Sequence, residues 1–209
     1  MYRGIIALMV MLAVLAGCAK QKKQERVHSN QSVYEMYLQR GINSLNTFTA
    51  THDSTQLKAA EHYLDSASRQ QSLVKLVVGP RISLFLYANK VEEARKYAES
   101  IDAAQFPRPY MKEMYLHFLN ALILNKKQDI AERDESMKQA VAAVETYLQK
   151  KPNDTDAISD LFSLKTYSEP KEKLLSEMDE YKQKHPDSKV VIDKLKHVLQ
   201  TVMAQEKKK

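Results

Sequence analysis

The chain has 209 residues, 44% of them hydrophobic and 28% charged, with one cysteine and no tryptophan. That length suits one domain with a real core, and a lone cysteine excludes a disulfide framework. The formal charge of +6 raises nucleic acid as a partner, but acidic and basic residues are interspersed along the body. The excess sits at the ends, in Lys20, Lys22, Lys23 and Arg26 and in Lys207, Lys208 and Lys209, so no nucleic-acid partner is expected.

The chain opens with a short positive segment, Met1-Tyr2-Arg3, and an unbroken apolar run from Ile5 to Leu15. That run is well short of the roughly 20 residues a membrane-spanning helix needs. It is followed by small Ala16 and Gly17, as a signal peptidase site requires. Leu15-Ala16-Gly17-Cys18 contains the sole cysteine of the chain. These four residues resemble the lipobox of the bacterial lipoproteins. The resemblance implies lipid attachment at Cys18: a diacylglyceryl group on its sulfur, cleavage before it, and acylation of the new amino terminus. Two or three acyl chains anchor a protein stably where one would not. In enterobacterial-type sorting an aspartate after the cysteine retains a lipoprotein in the inner membrane. Ala19 stands there in this chain, which implies the outer membrane, facing the periplasm. The expected organisation is a signal peptide over 1–17, a lipidated tether over 18–31, a folded domain over 32–205 and a basic tail over 206–209.

Ala19 to about Asn30 is polar, charged and aperiodic, as a tether should be. Beyond it the chain reads as helix throughout. Only Gly41 and Gly79 remain after the leader, and Val and Thr never gather into alternating runs. Capping patterns at Ser32-x-x-Glu35, Asn89-x-x-Glu92, Asp129-x-x-Glu132 and Asn153-x-x-Asp156 mark starts, and Pro107, Pro109, Pro152, Pro170 and Pro186 mark stops. Helices are predicted near 32–48, 55–71, 73–88, 90–102, 109–126, 130–151, 154–167, 170–184 and 188–205. Pro80 is expected to interrupt its helix, and Thr47 to Ser54 to form a long loop. Short connections make neighbours antiparallel hairpins.

The pairs repeat. Tyr147-Leu-Gln-Lys-Lys-Pro152 aligns with Tyr181-Lys-Gln-Lys-His-Pro186, and Ala59-Ala60-Glu-His-Tyr63 aligns with Glu93-Ala94-Arg-Lys-Tyr97. Each offset is 34 residues, from 152 to 186 and from 60 to 94. Ala94 to Ala140 is one period plus twelve residues, an insertion expected in the polar segment Lys126 to Met137. A period of 34 in paired helices resembles the tetratricopeptide repeat family. The likeness runs roughly from Ser32 to Ser188. It rests on the small-then-bulky spacing of second helices: Ala60, Leu64 and Ala67; Ala140, Val144 and Tyr147; Leu174, Met178 and Tyr181. First helices match less well. The family's Leu-Gly pair falls near Arg81-Ile82 or Ile82-Ser83 in the second unit, and near Leu161-Phe162 or Phe162-Ser163 in the fourth. The resemblance implies an all-α, TPR-like helical-hairpin solenoid of about four pairs. Ser188 to Gln205, apolar on one side and Lys-rich on the other, reads as its capping helix.

Catalytic chemistry is hard to place on these residues. No glycine-rich phosphate cradle exists. No two of His28, His52, His62, His117, His185 and His197 are four apart, so no helical zinc-protease pair exists. Ser72-Leu-Val-Lys75 matches the Ser-x-x-Lys of penicillin-binding enzymes only formally, because its partner motifs are missing. The expectation is a protein without enzymatic activity, cofactor or metal. Tyr34, Tyr37, Tyr87, Tyr110, Tyr115 and Tyr167 fall on first helices, the ones that line the concave surface in the family resembled. Tyrosine suits interfaces because it joins area to a polar tip, but it also packs such hairpins. Tyr87 and Tyr167, each near a first-helix end, are the protein-binding candidates. The resulting expectation is a lipid-anchored adaptor or scaffold that holds an envelope protein or peptide partner, in an assembly, secretion or piloting system. The alternative is a small-molecule or glycan-binding envelope lipoprotein.

Overall fold

The computed structural model describes residues 33–206. The lipobox with Cys18, the leader, the tether, Ser32 and the last three lysines lie outside the described residues. Among the described residues the chain forms nine α-helices, three short 3-10 turns and no strand. They are α1 (Val33–Thr51), α2 (Thr55–Ser68), α3 (Val74–Tyr87), α4 (Val91–Ser100), α5 (Met111–Lys126), α6 (Ile130–Lys150), α7 (Thr155–Lys165), α8 (Lys171–Lys184) and α9 (Lys189–Glu206). The fold is all-α, four consecutive helical hairpins closed by a last helix. Each element packs on its neighbours in sequence, and α9 covers both α7 and α8. No described helix is long and apolar enough to cross a membrane.

The second helix of each of the first three pairs meets its neighbours through a small residue. Ala60, Ala94 and Ala140 have no exposed surface at all. In the first pair the first helix is small too. A Cβ on Gly41 would lie 2.8 Å from Leu64 Cδ2, so Leu64 would have to shift to admit any side chain there. In the fourth pair Leu174 and Met178 take the corresponding buried places.

The first helices of the first three pairs end alike. His52, Asn89 and Gln128 adopt φ of 57°, 59° and 63°, the left-handed conformation that caps a helix C-terminus. Lys90 and Asp129, one residue later, donate their amides back to Phe85 O and Leu124 O at 2.8 and 3.0 Å. The chain then re-enters a helix within three residues. The fourth pair lacks this device. Thr166 to Pro170 makes a longer turn, and α7 and α8 pack far less closely than α1 with α2 or α5 with α6.

Four expectations change. The long loop at Thr47 to Ser54 is mostly helix, since α1 runs on to Thr51; Thr47, Thr49 and Thr51 turn their hydroxyls back onto the preceding turn and leave the helix intact. Pro80 lies inside α3 without ending it. The carbonyl it deprives of a donor belongs to Leu76, which is 52% exposed. Two caps shift: Asp154, and not Asn153, accepts from the amides of Asp156 and Ala157, and Asn89 closes α3 while α4 starts without a side-chain cap. The twelve extra residues are divided. Part lies in the linker between α4 and α5, and part is helical, since α6 starts ten residues before Ala140 whereas α4 starts three before Ala94.

The buried residues form two cores. The smaller joins α1, α2 and one side of α3 through Leu38, Leu45, Leu64, Val77 and Leu84. The larger runs from Val78 on the other side of α3 through Phe118, Ile158 and Leu174 to Leu199 on α9. Adjacent residues of one helix thus face different cores, which is why α3 is apolar nearly all round.

Successive second helices are joined by a polar side chain rising from the first helix between them. Arg81 of α3 pairs with Asp65 of α2 and lies 5.7 Å from the Tyr97 ring of α4. Asn120 of α5 accepts from Arg95 of α4 at 3.1 Å and donates to Ser136 of α6 at 2.9 Å. Lys165 of α7 reaches Glu145 of α6 at 3.5 Å and Glu177 of α8 at 2.9 Å.

Candidate functional site

The two tyrosines singled out in the sequence come together. Tyr87 ends α3 and Tyr167 lies just past α7. Each is half-buried, and the two are near enough to interact. Tyr87 packs on the smaller core, its ring 5.4 Å from Phe48 of α1. Tyr167 packs on the larger core, edge-on to Phe118 of α5 at 5.2 Å. Two aromatic pairs, one on each core, thus lie near each other, Phe48 with Tyr87 and Phe118 with Tyr167. Burial pushes both phenols well above the ordinary tyrosine value, and at Tyr167 the neighbouring Tyr87 adds to the shift. The Tyr87 hydroxyl is enclosed and has no hydrogen-bond partner.

The remaining first-helix tyrosines serve other contacts. Tyr37 stacks on Tyr63 of α2. Tyr115 lies beside Gly79, whose Cβ position is 3.5 Å from the phenol oxygen. Tyr110 stands at the start of α5 with its ring 4.8 Å from that of Tyr147. Ser72 and Lys75 of the formal Ser-x-x-Lys motif are exposed, and the Ser72 hydroxyl accepts from Gln70. Among the described residues no three metal-ligating side chains converge.

A second feature had not been expected from the sequence. Arg108, in the linker before α5, donates to Asp154 at 2.8 Å and to Asp156 at 2.7 Å. Tyr147 also donates to Asp154, at 2.9 Å, and Tyr110 donates to Asp160 at 2.7 Å. Burial opposes the charge of Asp154, but the bonds from Arg108 and Tyr147 hold its carboxyl below the usual range. The signal available in the sequence was a carboxylate, Asp160, within the apolar run Ala157 to Leu164. A third feature is an open cleft of about 600 Å³ between α6, α7 and α8. Leu148, Leu161, Phe162 and Tyr181 line its apolar part, and the Lys165–Glu177 pair lies in it.

No protein-family model, curated protein or solved structure matches the chain.

Proposed function

We propose that this chain is a lipid-anchored adaptor of a bacterial cell envelope, probing a protein or peptide partner with the first-helix face of a tetratricopeptide-like array. On this reading Cys18 carries the lipid, residues 19–31 tether the domain near the outer membrane, and Tyr87 and Tyr167 mark the partner surface. The observation that carries it is that Tyr87 and Tyr167, from pairs far apart in sequence, lie near enough to interact while each keeps part of its surface exposed. The cleft of about 600 Å³ is large enough for a small ligand. Of its charged groups, Lys165 is already paired with Glu145 and Glu177, which weighs against the small-molecule alternative, while Glu180 and Lys184 line the rest.

Crosslinking from the intact envelope followed by mass spectrometry tests the reading. The expected result is a protein partner whose capture falls when Tyr87 or Tyr167 becomes alanine, by more than about 1 kcal/mol per folded molecule. Loss of melting temperature with unchanged capture would make both residues packing residues and place the partner surface elsewhere. The anchor is tested separately: Cys18→Ala should leave an unprocessed, unlipidated precursor, and a mature chain beginning anywhere other than a lipidated Cys18 would falsify the lipoprotein reading.

A further inference from the structure

The side chains that bridge the second helices also fix which residues look the other way. Arg81, Asn120 and Lys165 rise from α3, α5 and α7 toward the second helices. A helix turns about 100° per residue, so a residue five places earlier lies about 140° round the same helix. Those residues are Leu76, Tyr115 and Asp160, and they form one row across the first-helix face. Tyr115 joins its two ends. Its phenol oxygen lies 3.5 Å from the Cβ position of Gly79, one turn beyond Leu76, and Asp160 is close enough to act on the same phenol.

The row changes character along its length. Leu76 is a large apolar side chain left half exposed, and Gly79, Pro80 and Ser83 beside it carry no charge. Tyr115 is half-buried. Among the described residues its hydroxyl has no hydrogen-bond partner, and unlike that of Tyr87 it is not enclosed. At the far end Asp160 keeps part of its surface exposed and belongs to no ion pair among the described residues. Tyr110 donates to its Oδ2 and leaves Oδ1 unused. Asp154 and Asp156 stand nearby and share Arg108, so three carboxylates are set against one guanidinium.

We propose that this row seats an extended segment of a partner protein, which lays an apolar side chain on Leu76 and Gly79, passes Tyr115, and sets a lysine or arginine against Asp160. The inference rests on the adaptor reading above and names what the partner carries. The apolar end removes an apolar side chain from water. The acidic end lacks a counter-charge, which the partner's cation supplies. First helices in such an array are spaced by about 10 Å. The row from α3 to α7 therefore spans on the order of 20 Å, and an extended chain rising ~3.3 Å per residue crosses it in about six residues.

The test places an apolar photocrosslinking amino acid at Leu76, and separately at Tyr87 and Tyr167, in the full-length protein. It is activated in the intact envelope and the captured peptide is sequenced. The segment captured through position 76 should carry a lysine or arginine about six residues from the crosslink. Reversing that cation to glutamate in the partner should lower capture by the unaltered protein roughly tenfold, and Asp160→Asn should lower it to a similar degree. Asp160→Asn should keep its melting temperature, because the amide oxygen still accepts from Tyr110. A partner captured through Tyr87 or Tyr167 but not through Leu76, a captured segment without the cation, or capture indifferent to Asp160→Asn would each overturn this inference and leave the adaptor reading standing. A second copy of this chain as the sole capture would overturn it as well. No capture at any of the three positions would overturn both.

Discussion

Gln128 holds a left-handed backbone with φ of 63°, a conformation that costs a residue with a Cβ about 1–2 kcal/mol. Gln128→Gly should therefore stabilise the protein by about 1 kcal/mol, read as a higher denaturation midpoint, although glycine is otherwise the poorer helix neighbour. Tyr87 gives a companion case. Its hydroxyl is buried without an acceptor, so Tyr87→Phe should leave stability unchanged or raise it by about 1 kcal/mol. Because that hydroxyl is enclosed, the same variant should leave partner capture unchanged, whereas Tyr87→Ala, which removes the ring, should weaken it. The pairing of Tyr87 with Tyr167 was half legible. Their places at first-helix ends followed from the helix pattern, but their meeting across the seam depends on how the pairs stack, which no spacing encodes. Arg108 with Asp154, and Tyr110 with Asp160, were not legible as partners, because 46 and 50 residues separate them.

At the scale of elements, the helices and their order were read almost fully, since glycine scarcity, proline stops and the 34-residue period all point one way. What failed was local chemistry at the ends. The α1 extension depends on threonine hydroxyls bonding back onto their own helix, and Pro80 survives because its helix loses only one exposed amide bond. The crossings followed from the small residues of second helices, and they carry a prediction. Ala60→Leu and Ala140→Leu should each cost on the order of 1–3 kcal/mol through overpacking, measured by chemical denaturation; two unaffected mutants would sink the repeat register. The last helix is joined to α8 by charge. Lys189 and Lys182 hold Asp193 down at about 2, and Lys196 likewise lowers Asp179. A depressed carboxylate contributes above its ordinary value of 3.8 and loses that contribution as pH falls through the folded value. The opening constant of α9 amides, corrected for intrinsic exchange rates, should accordingly rise as pH falls from 4 to 2, and Asp193→Asn should already show the raised opening at pH 5.

For the whole molecule, the division into two cores matters more than total burial. An array of hairpins is stabilised by each unit and its nearest neighbours, and the first pair rests on the smaller core through α3 alone. Hydrogen exchange should therefore find α1 and α2 opening first, with the slowest amides in α5 and α7, where Phe118, Leu119, Ile158 and Leu164 are fully enclosed. Uniform protection from α1 to α9 would mean the two cores act as one.

The three side chains that join successive second helices differ in kind: an arginine at the first junction, an asparagine at the second, a lysine at the third. Each fits only the mates supplied by its own neighbours. Duplicating the second hairpin would bring Arg81 against Arg95, and deleting the third would bring Lys165 against Arg95, setting like charges together. The pairs are thus repeats in shape but not in identity. Such an array has lost the freedom to grow or shrink by whole units that a uniform repeat keeps, and its length and order have become inheritable as a single block.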